Sequence, residues 1–297
     1  HGNGQAALEM LNGGGMTLVG TKNCTAFIER VSGITDIDFH PVIEKIGWNG
    51  SYFASPCGRV SAPSNTIAPK IAIIPMQKKC AQSGTLRQWK QHVALPLKGQ
   101  SILQFGIMLM FAAPLLGLTD IYDNAGFEIV GKKATGKSSA LRLAASVAGG
   151  TGRGPEGHYY VNFDTTLNAL EDTMAAHSDL TLLLDEANLF GMGQTARARA
   201  IMFENIAFKL GGGTTRARWG SRGFETRLLF LTTSNEPLAS LIGEHTEGAK
   251  AAADRLITIA IPADRDFGAL DFLPAAAAHL FAQAIDPGRL GVGLRVR

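Results

Sequence analysis

From about Gly126 onward the chain alternates short apolar runs with stretches of mixed polarity. "FEIV", "LTLLLDEA", "RLLFLTTSN" and "RLITIAI" are nearly continuous in apolar residues, the pattern of strands covered on both faces. Between them lie "KSSALRLAASVAG", "TLNALEDTMAAHS" and "TARARAIMFENIAFKL", which read as helices, and "PAAAAHLFAQAI" reads as a final one. Apolar strands separated by helices predict an α/β fold, a parallel sheet flanked by helices, over residues 125–297. Residues 1–85 follow another pattern. Short runs, "MTLVG", "CTAFIERV", "GWNGSYFA" and "KIAIIPM", are separated by Gly, Pro and Ser and predict a small β-rich or α+β module. Residues 86–124 form a helical connector, made of "TLRQWKQHVALPL" and the uncharged "SILQFGIMLMFAAPLLGLT". The second stretch approaches the length of a membrane span. It carries Gln104 and Pro114 and runs straight into the alternating region, so it reads as a buried core helix with no membrane partner.

Composition narrows this picture only a little. The chain of 297 residues is 45% hydrophobic and 18% charged, which fits a globular protein and not a disordered one. A net charge of +3 does not by itself predict nucleic acid, so the distribution of charge must decide. The three cysteines have no C-x-x-C spacing, which argues against a disulfide framework or a zinc site and for a cytoplasmic protein. The seven histidines are scattered with no H-E-x-x-H, so metal-centred hydrolysis is not expected. The chain starts at His1 and ends at "GLRVR", and reads as a fragment of something longer.

The run Gly131-Lys132-Lys133-Ala134-Thr135-Gly136-Lys137-Ser138 fits G-x-x-x-x-G-K-[ST] at every position, between an apolar strand and a helix. Glycines let backbone N–H groups turn onto phosphate oxygens with no Cβ in the way. The helix N-terminus adds partial positive charge. Gly131, Ala134, Thr135, Gly136, Lys137, Ser138 and Ser139 are therefore the predicted ATP-binding set. Lys137 is expected to reach the β- and γ-phosphates, and the Ser138 hydroxyl to ligate Mg²⁺. This is the signature of a P-loop NTPase.

"LTLLLDEAN" ends an apolar run in Asp185-Glu186. Asp185 is the predicted second Mg²⁺ residue, and Glu186 the general base that polarises the attacking water. The next apolar run ends in Thr233, Ser234 and Asn235. Asn235 is assigned the role of orienting that water.

Between these strands "FKLGGGTTRARWGSRGFETR" carries Lys209, Arg216, Arg218, Arg222 and Arg227 against the single acid Glu225, with Trp219 inside. Within it "TTRARWGSRGFETR" could fold as a basic hairpin turning at Gly220-Ser221, and Lys209, Arg216, Arg218 and Arg222 are the candidates to contact nucleic acid while the aromatic stacks on bases. The same stretch could instead be a solvated loop, or supply an arginine to a neighbouring subunit's ATP site. Arg255, just before the last strand, is open between an arginine finger reaching across a subunit boundary and a helix C-terminal cation.

The segments "GWNGSYFASP", "WKQHVALPLKGQSILQFGIMLMFAAPLLGL", "GKKATGKSSALRLAASVAG", "LLLDEANLF", "KLGGGTTRAR" and "RLLFLTTSNEPL" occur in an order that resembles the bacterial and phage family known as domain of unknown function 927. The resemblance runs from about Gly47 to Ile261. It implies a helicase-like, AAA-plus-like P-loop ATPase carried on mobile elements, often near primase or other replication modules, and related to superfamily-three ring helicases. It implies nucleotide roles for Lys137, Ser138, Asp185, Glu186 and Asn235, and hairpin roles for Lys209, Arg216 and Arg218. Family members often carry Gly-Glu after Ser-Thr where this chain has Ser234-Asn235-Glu236.

The reading that gathers these features is an ATP- and Mg²⁺-dependent motor, an ATPase of the helicase or translocase class working on DNA, single-stranded in preference to duplex, as a homo-oligomeric ring. Two alternatives remain: a nucleotide-dependent switch or scaffold ATPase that does not translocate, and a P-loop kinase. A kinase needs an acceptor pocket in place of a base beside the metal Asp, so the Asp-Glu pair counts against it.

Overall fold

The computed structural model describes residues 15, 20–32, 42–43, 46–56, 59–62, 70–71, 80, 84–121, 124–149, 159–163, 167–187, 191–212, 226–242 and 256–272. Backbone contacts divide the chain into residues 1–41 and 42–297.

In the first unit, Thr21–Ser32 is helix α1. The run "CTAFIERV" was expected among β-rich segments, and the structure corrects this. Its half-buried positions are Cys24, Phe27 and Ile28, spaced by three and four. That helical period outweighs the strand preference of its β-branched residues.

The second unit opens with a two-stranded parallel pair, β1 (Val42–Ile43) and β5 (Lys70–Ile71). Between them in sequence lies an antiparallel sheet of β2 (Gly47–Asn49), β3 (Tyr52–Ala54) and β4 (Val60–Ser61). Trp48 stands opposite Phe53 with the rings edge to face, centroids 5.2 Å apart. The Trp48 amide donates to Asp179 Oδ2 at 2.9 Å and its indole N–H to the Pro114 carbonyl at 2.7 Å. These two bonds fasten the small sheet to the turn just before Thr181 and to the helix that carries Pro114. Gly47 has φ +91°, and a Cβ there would lie 2.5 Å from Asp179, so the docking requires glycine.

Helix α2 (Leu86–Trp89) opens on a reciprocal cap between Thr85 and Gln88 and runs into one π-helical turn, Lys90–Ala94. Helix α3 (Ser101–Leu116) buries Leu103, Gly106, Ile107, Met110 and Ala113. It is a core helix, as its uncharged sequence implied. None of the described helices is long and apolar enough to cross a membrane.

The main sheet has five parallel strands: β6 (Ala125–Val130), β7 (Val161–Asn162), β8 (Thr181–Asp185), β9 (Leu229–Ser234) and β10 (Leu256–Ala260). Their spatial order is β10-β6-β9-β8-β7. The strand that follows the Asp-Glu pair in sequence is thus inserted between the phosphate-loop strand and the Asp-Glu strand. Helices α4 (Lys137–Ala145), α5 (Leu167–Ala175), α6 (Ala196–Gly212) and α7 (Leu238–Ile242) accompany it. Side chains alternate between two cores. Ile129, Leu183 and Leu231 meet α3 and α4 on one face; Leu182, Leu184 and Phe230 meet α5 and α6 on the other. This is an α/β P-loop fold with a small antiparallel sheet appended. The expected final helix, "PAAAAHLFAQAI", and the run "MTLVG" lie outside the described residues.

Candidate functional site

Strand β6 delivers Gly131 at its carboxyl end, and the loop then turns twice through the left-handed region, at Ala134 (φ 64°) and Gly136 (φ 89°). Gly136 immediately precedes α4. Its conformation is one that glycine adopts without steric cost. The turn leaves the first amides of α4 directed at the pocket, where an anion would meet their partial charge. Thr135 steadies the loop by donating to the Lys132 carbonyl at 2.8 Å.

Lys137 is buried and uses its ammonium fully. It donates to the Gly131 carbonyl at 2.6 Å, to the Lys132 carbonyl at 2.7 Å and to Asn235 Oδ1 at 3.1 Å. Burial pushes its proton affinity below the usual lysine range, and the nearby Asp185 charge only partly restores it. A polyanion delivered here would favour the charged form and offer stronger acceptors than the carbonyls.

Asp185 ends β8 and is buried. Its Oδ1 accepts from Ser138 Oγ at 3.2 Å, from Thr233 Oγ1 at 2.5 Å and from the Glu186 amide at 3.1 Å. One carboxylate oxygen therefore joins the first turn of α4 to the ends of β8 and β9. Ser138 and Asp185 supply hard oxygen donors side by side, the donor set Mg²⁺ takes when phosphates and water complete its shell. Among the described residues no group of three or more His, Cys, Asp or Glu gathers in a way that could hold a metal, and a phosphate-bridged magnesium does not need one.

Glu186 is exposed at the pocket, with φ 60°. Its amide is shared between Asp185 Oδ1 and Thr233 Oγ1, the latter at 3.2 Å. A non-glycine residue held in this region costs on the order of 1–3 kcal/mol. The bonds on its amide hold that strain and aim the carboxylate outward. Ala134, Thr135, Gly136, Lys137, Ser138, Ser139, Glu186, Thr233 and Asn235, with Lys133, line one pocket of about 510 Å³.

A further segment closes on the loop from behind. The Ala269 amide donates to the Thr135 carbonyl at 2.8 Å. Gly268 has φ +60°, and a Cβ there would lie 2.4 Å from the same carbonyl oxygen. The segment is anchored at its far end by Asp271, which receives Ser101 Oγ at 2.8 Å and Arg265 Nη2 at 3.0 Å. Burial alone would raise the Asp271 carboxyl, but the Ser101 bonds and Arg265 outweigh it and hold it below its usual range. Buried Gln100 completes the anchor, accepting from the Asp271 amide and donating to the Phe272 carbonyl.

The structure thus brings Gly131, Ala134, Thr135, Gly136, Lys137, Ser138, Ser139, Asp185, Glu186 and Asn235 to one place. Arg216, Arg218, Arg222 and Arg255 lie outside the described residues. Lys209 is corrected: it sits in the last turn of α6 and its ammonium is paired with Glu171, so it belongs to a helix–helix contact and not to a hairpin. Sequence reasoning missed Thr233 as the partner of Asp185, although a hydroxyl beside Asn235 was the available signal. It also missed the Gly268–Asp271 segment, for which no motif exists.

A family model described as "Domain of unknown function (DUF927)" matches residues 1–225. No curated protein matches the chain. Among solved structures, "SCCmec type IV Cch - active helicase" aligns with a TM-score of 0.64 and 18% identity, over 95% of this chain and 51% of that one. The NrS-1 C-terminal region aligns at TM-score 0.38 and 12% identity, over 94% and 62%. JCV helicase aligns at 0.35 and 13%, over 72% and 62%. The chain spans about half the length of the Cch helicase; that likeness is one of fold, and the other two are too distant in shape to carry an argument.

Proposed function

The chain belongs to the DUF927 family, and from its site we propose that it is an ATP-hydrolysing, helicase-like motor that translocates on or remodels DNA. The observation that carries the reading is the meeting of Ser138, Thr233 and Glu186 on one oxygen of Asp185, with Lys137 and Asn235 beside it. The loop amides and Lys137 would hold the triphosphate. Ser138 and Asp185 would hold Mg²⁺, which when bound neutralises phosphate charge during transfer. Glu186 projects into the pocket as general base, and Asn235 orients the water between them. Placing Glu186 next to the metal carboxylate favours water over another acceptor, which is why hydrolysis is preferred to a kinase reaction.

The DNA part of the proposal draws on the basic stretch bearing Arg216, Arg218 and Arg222, and on the fold shared with a protein described as an active helicase. Assembly into a ring would let an arginine, Arg255 or one from that stretch, complete a neighbour's site. Residues 1–85 would support assembly or substrate contact, beside any primase module. The test is the ATPase rate with and without single-stranded DNA, measured beside the particle mass. Stimulation in an oligomer supports the motor; an unstimulated monomer points to a switch or scaffold.

A further inference from the structure

Strand β6 carries one residue that its surroundings do not explain. Glu128 is 1% exposed, on the sheet face opposite α4, in register with Thr232 of β9 and Thr258 of β10. A carboxylate buried this deeply costs stability through its charge, yet removing it alone leaves two buried donors without their acceptor. Burial indeed pushes the Glu128 carboxyl above its usual range, against the lowering effect of its two hydrogen bonds.

Those two bonds show what the residue holds. Oε2 accepts from the Leu238 amide at 3.1 Å, and Oε1 from Thr258 Oγ1 at 2.6 Å. Leu238 opens α7, directly after the turn Asn235-Glu236-Pro237. The other end of that turn is pinned by the Gly131 amide, which donates to the Ser234 carbonyl at 3.2 Å. The turn that presents Asn235 to Lys137 is thus fixed at both ends, once by the phosphate loop and once by Glu128. Thr258 lies on β10, whose continuation is tied to β6 by Ile261 N–H to the Val130 carbonyl and then reaches Thr135 through Ala269. One buried carboxyl therefore links β6, β10 and the turn that bears Asn235.

We infer that Glu128 is a positioning residue for the proposed hydrolysis, acting through the Asn235 turn and not on the nucleotide. The inference rests on the ATPase reading for its kinetic arm alone. Glu128→Leu fills much the same space but can receive neither the Leu238 amide nor the Thr258 hydroxyl. Glu128→Gln can still accept that amide and donate to the Thr258 hydroxyl, so it serves as the conservative rescue.

The full chain is assayed as wild type, E128L, E128Q, N235A and E128L/N235A. In E128L, assayed below the onset of its thermal melt, kcat for ATP falls roughly ten-fold or more and KM stays within about two-fold. E128Q regains most of the loss. Adding E128L to N235A costs nothing further, because the residue through which Glu128 acts is already gone. Amide hydrogen exchange at residues 235–242 speeds up in E128L and not in E128Q. Should E128L fail to fold, E128M repeats the series. Unchanged kcat in E128L, an additive loss in the double variant, or unchanged exchange overturns the inference. A wild-type protein that does not hydrolyse ATP overturns the proposed function instead, and the exchange arm then decides the role of Glu128 by itself.

Discussion

The ammonium of Lys137 donates to the side-chain oxygen of Asn235 at 3.1 Å, joining the first residue of α4 to the residue that follows β9. The contact exists because β9 is inserted between β6 and β8. A phosphate that draws Lys137 off this bond would free Asn235, so the proposed phosphate and water-orienting roles are coupled through one hydrogen bond. If this is how the site senses a triphosphate, Lys137→Ala weakens Mg-ATP binding by about 2–4 kcal/mol, a rise in Kd of roughly 30-fold or more. Titration calorimetry with Mg-ATP checks it; binding within two-fold of wild type would remove Lys137 from the phosphate site.

Glu186→Gln keeps the backbone bonds that aim the side chain, since they belong to the amide. The amide side chain cannot take a proton from water. Nucleotide binding should be retained while kcat falls by about a hundred-fold or more. Steady-state hydrolysis beside a binding titration separates the two. An E186Q protein that still turns over at the wild-type rate would exclude Glu186 as the base.

The phosphate-loop motif, the Asp-Glu pair and the strand–helix alternation were legible in sequence because each is local: a fixed spacing or a period along one element. The nearness of Ser138 to Asp185 followed from their shared Mg²⁺ assignment, but the part of Thr233 did not, because it depends on which strands are neighbours, and strand order is set by packing across the whole sheet. "CTAFIERV" was misread because β-branched residues dominated its appearance, while its partly buried positions keep a helical spacing. Lys209 was misassigned because its partner, Glu171, lies on another helix. Glu128 could have been noticed as a lone carboxylate inside an apolar strand, but what it holds becomes visible only with β10 and α7 in place.

Gly268→Ala tests the segment behind the loop. Its backbone sits at φ +60°, and the added Cβ would meet the Thr135 carbonyl oxygen at 2.4 Å, an atom of the phosphate loop itself. The strain of the left-handed conformation and the clash together should cost about 2 kcal/mol or more, lowering Tm by roughly 4 °C or more. The displaced contact is the one that supports Thr135, so Mg-ATP affinity should fall as well. A thermal melt and an ATP titration of G268A check this; an unchanged melt would mean that the segment does not bear on the loop.

The raised carboxyl of Glu128 makes stability depend on pH in a stated direction. Its ordinary value is 4.5, and burial lifts it in the folded protein. Between those two values the folded chain binds the proton and the unfolded chain does not, so stability falls as pH rises through the window. The stabilising contribution is fully present below 4.5 and is lost once pH passes the folded value. Glutamine at 128 has no proton to lose, so E128Q lacks this term. Asp271, held below its usual range, works the other way, contributing stability that is lost as pH falls; it is common to both proteins and cancels in the difference. Urea unfolding of wild type and E128Q from pH 4 upward should therefore show wild type losing ground steadily to E128Q above about 4.5, then levelling off. A difference that is flat across the series, or of the opposite slope, would show that the Glu128 carboxylate is better solvated by Thr258 and Leu238 than its burial implies.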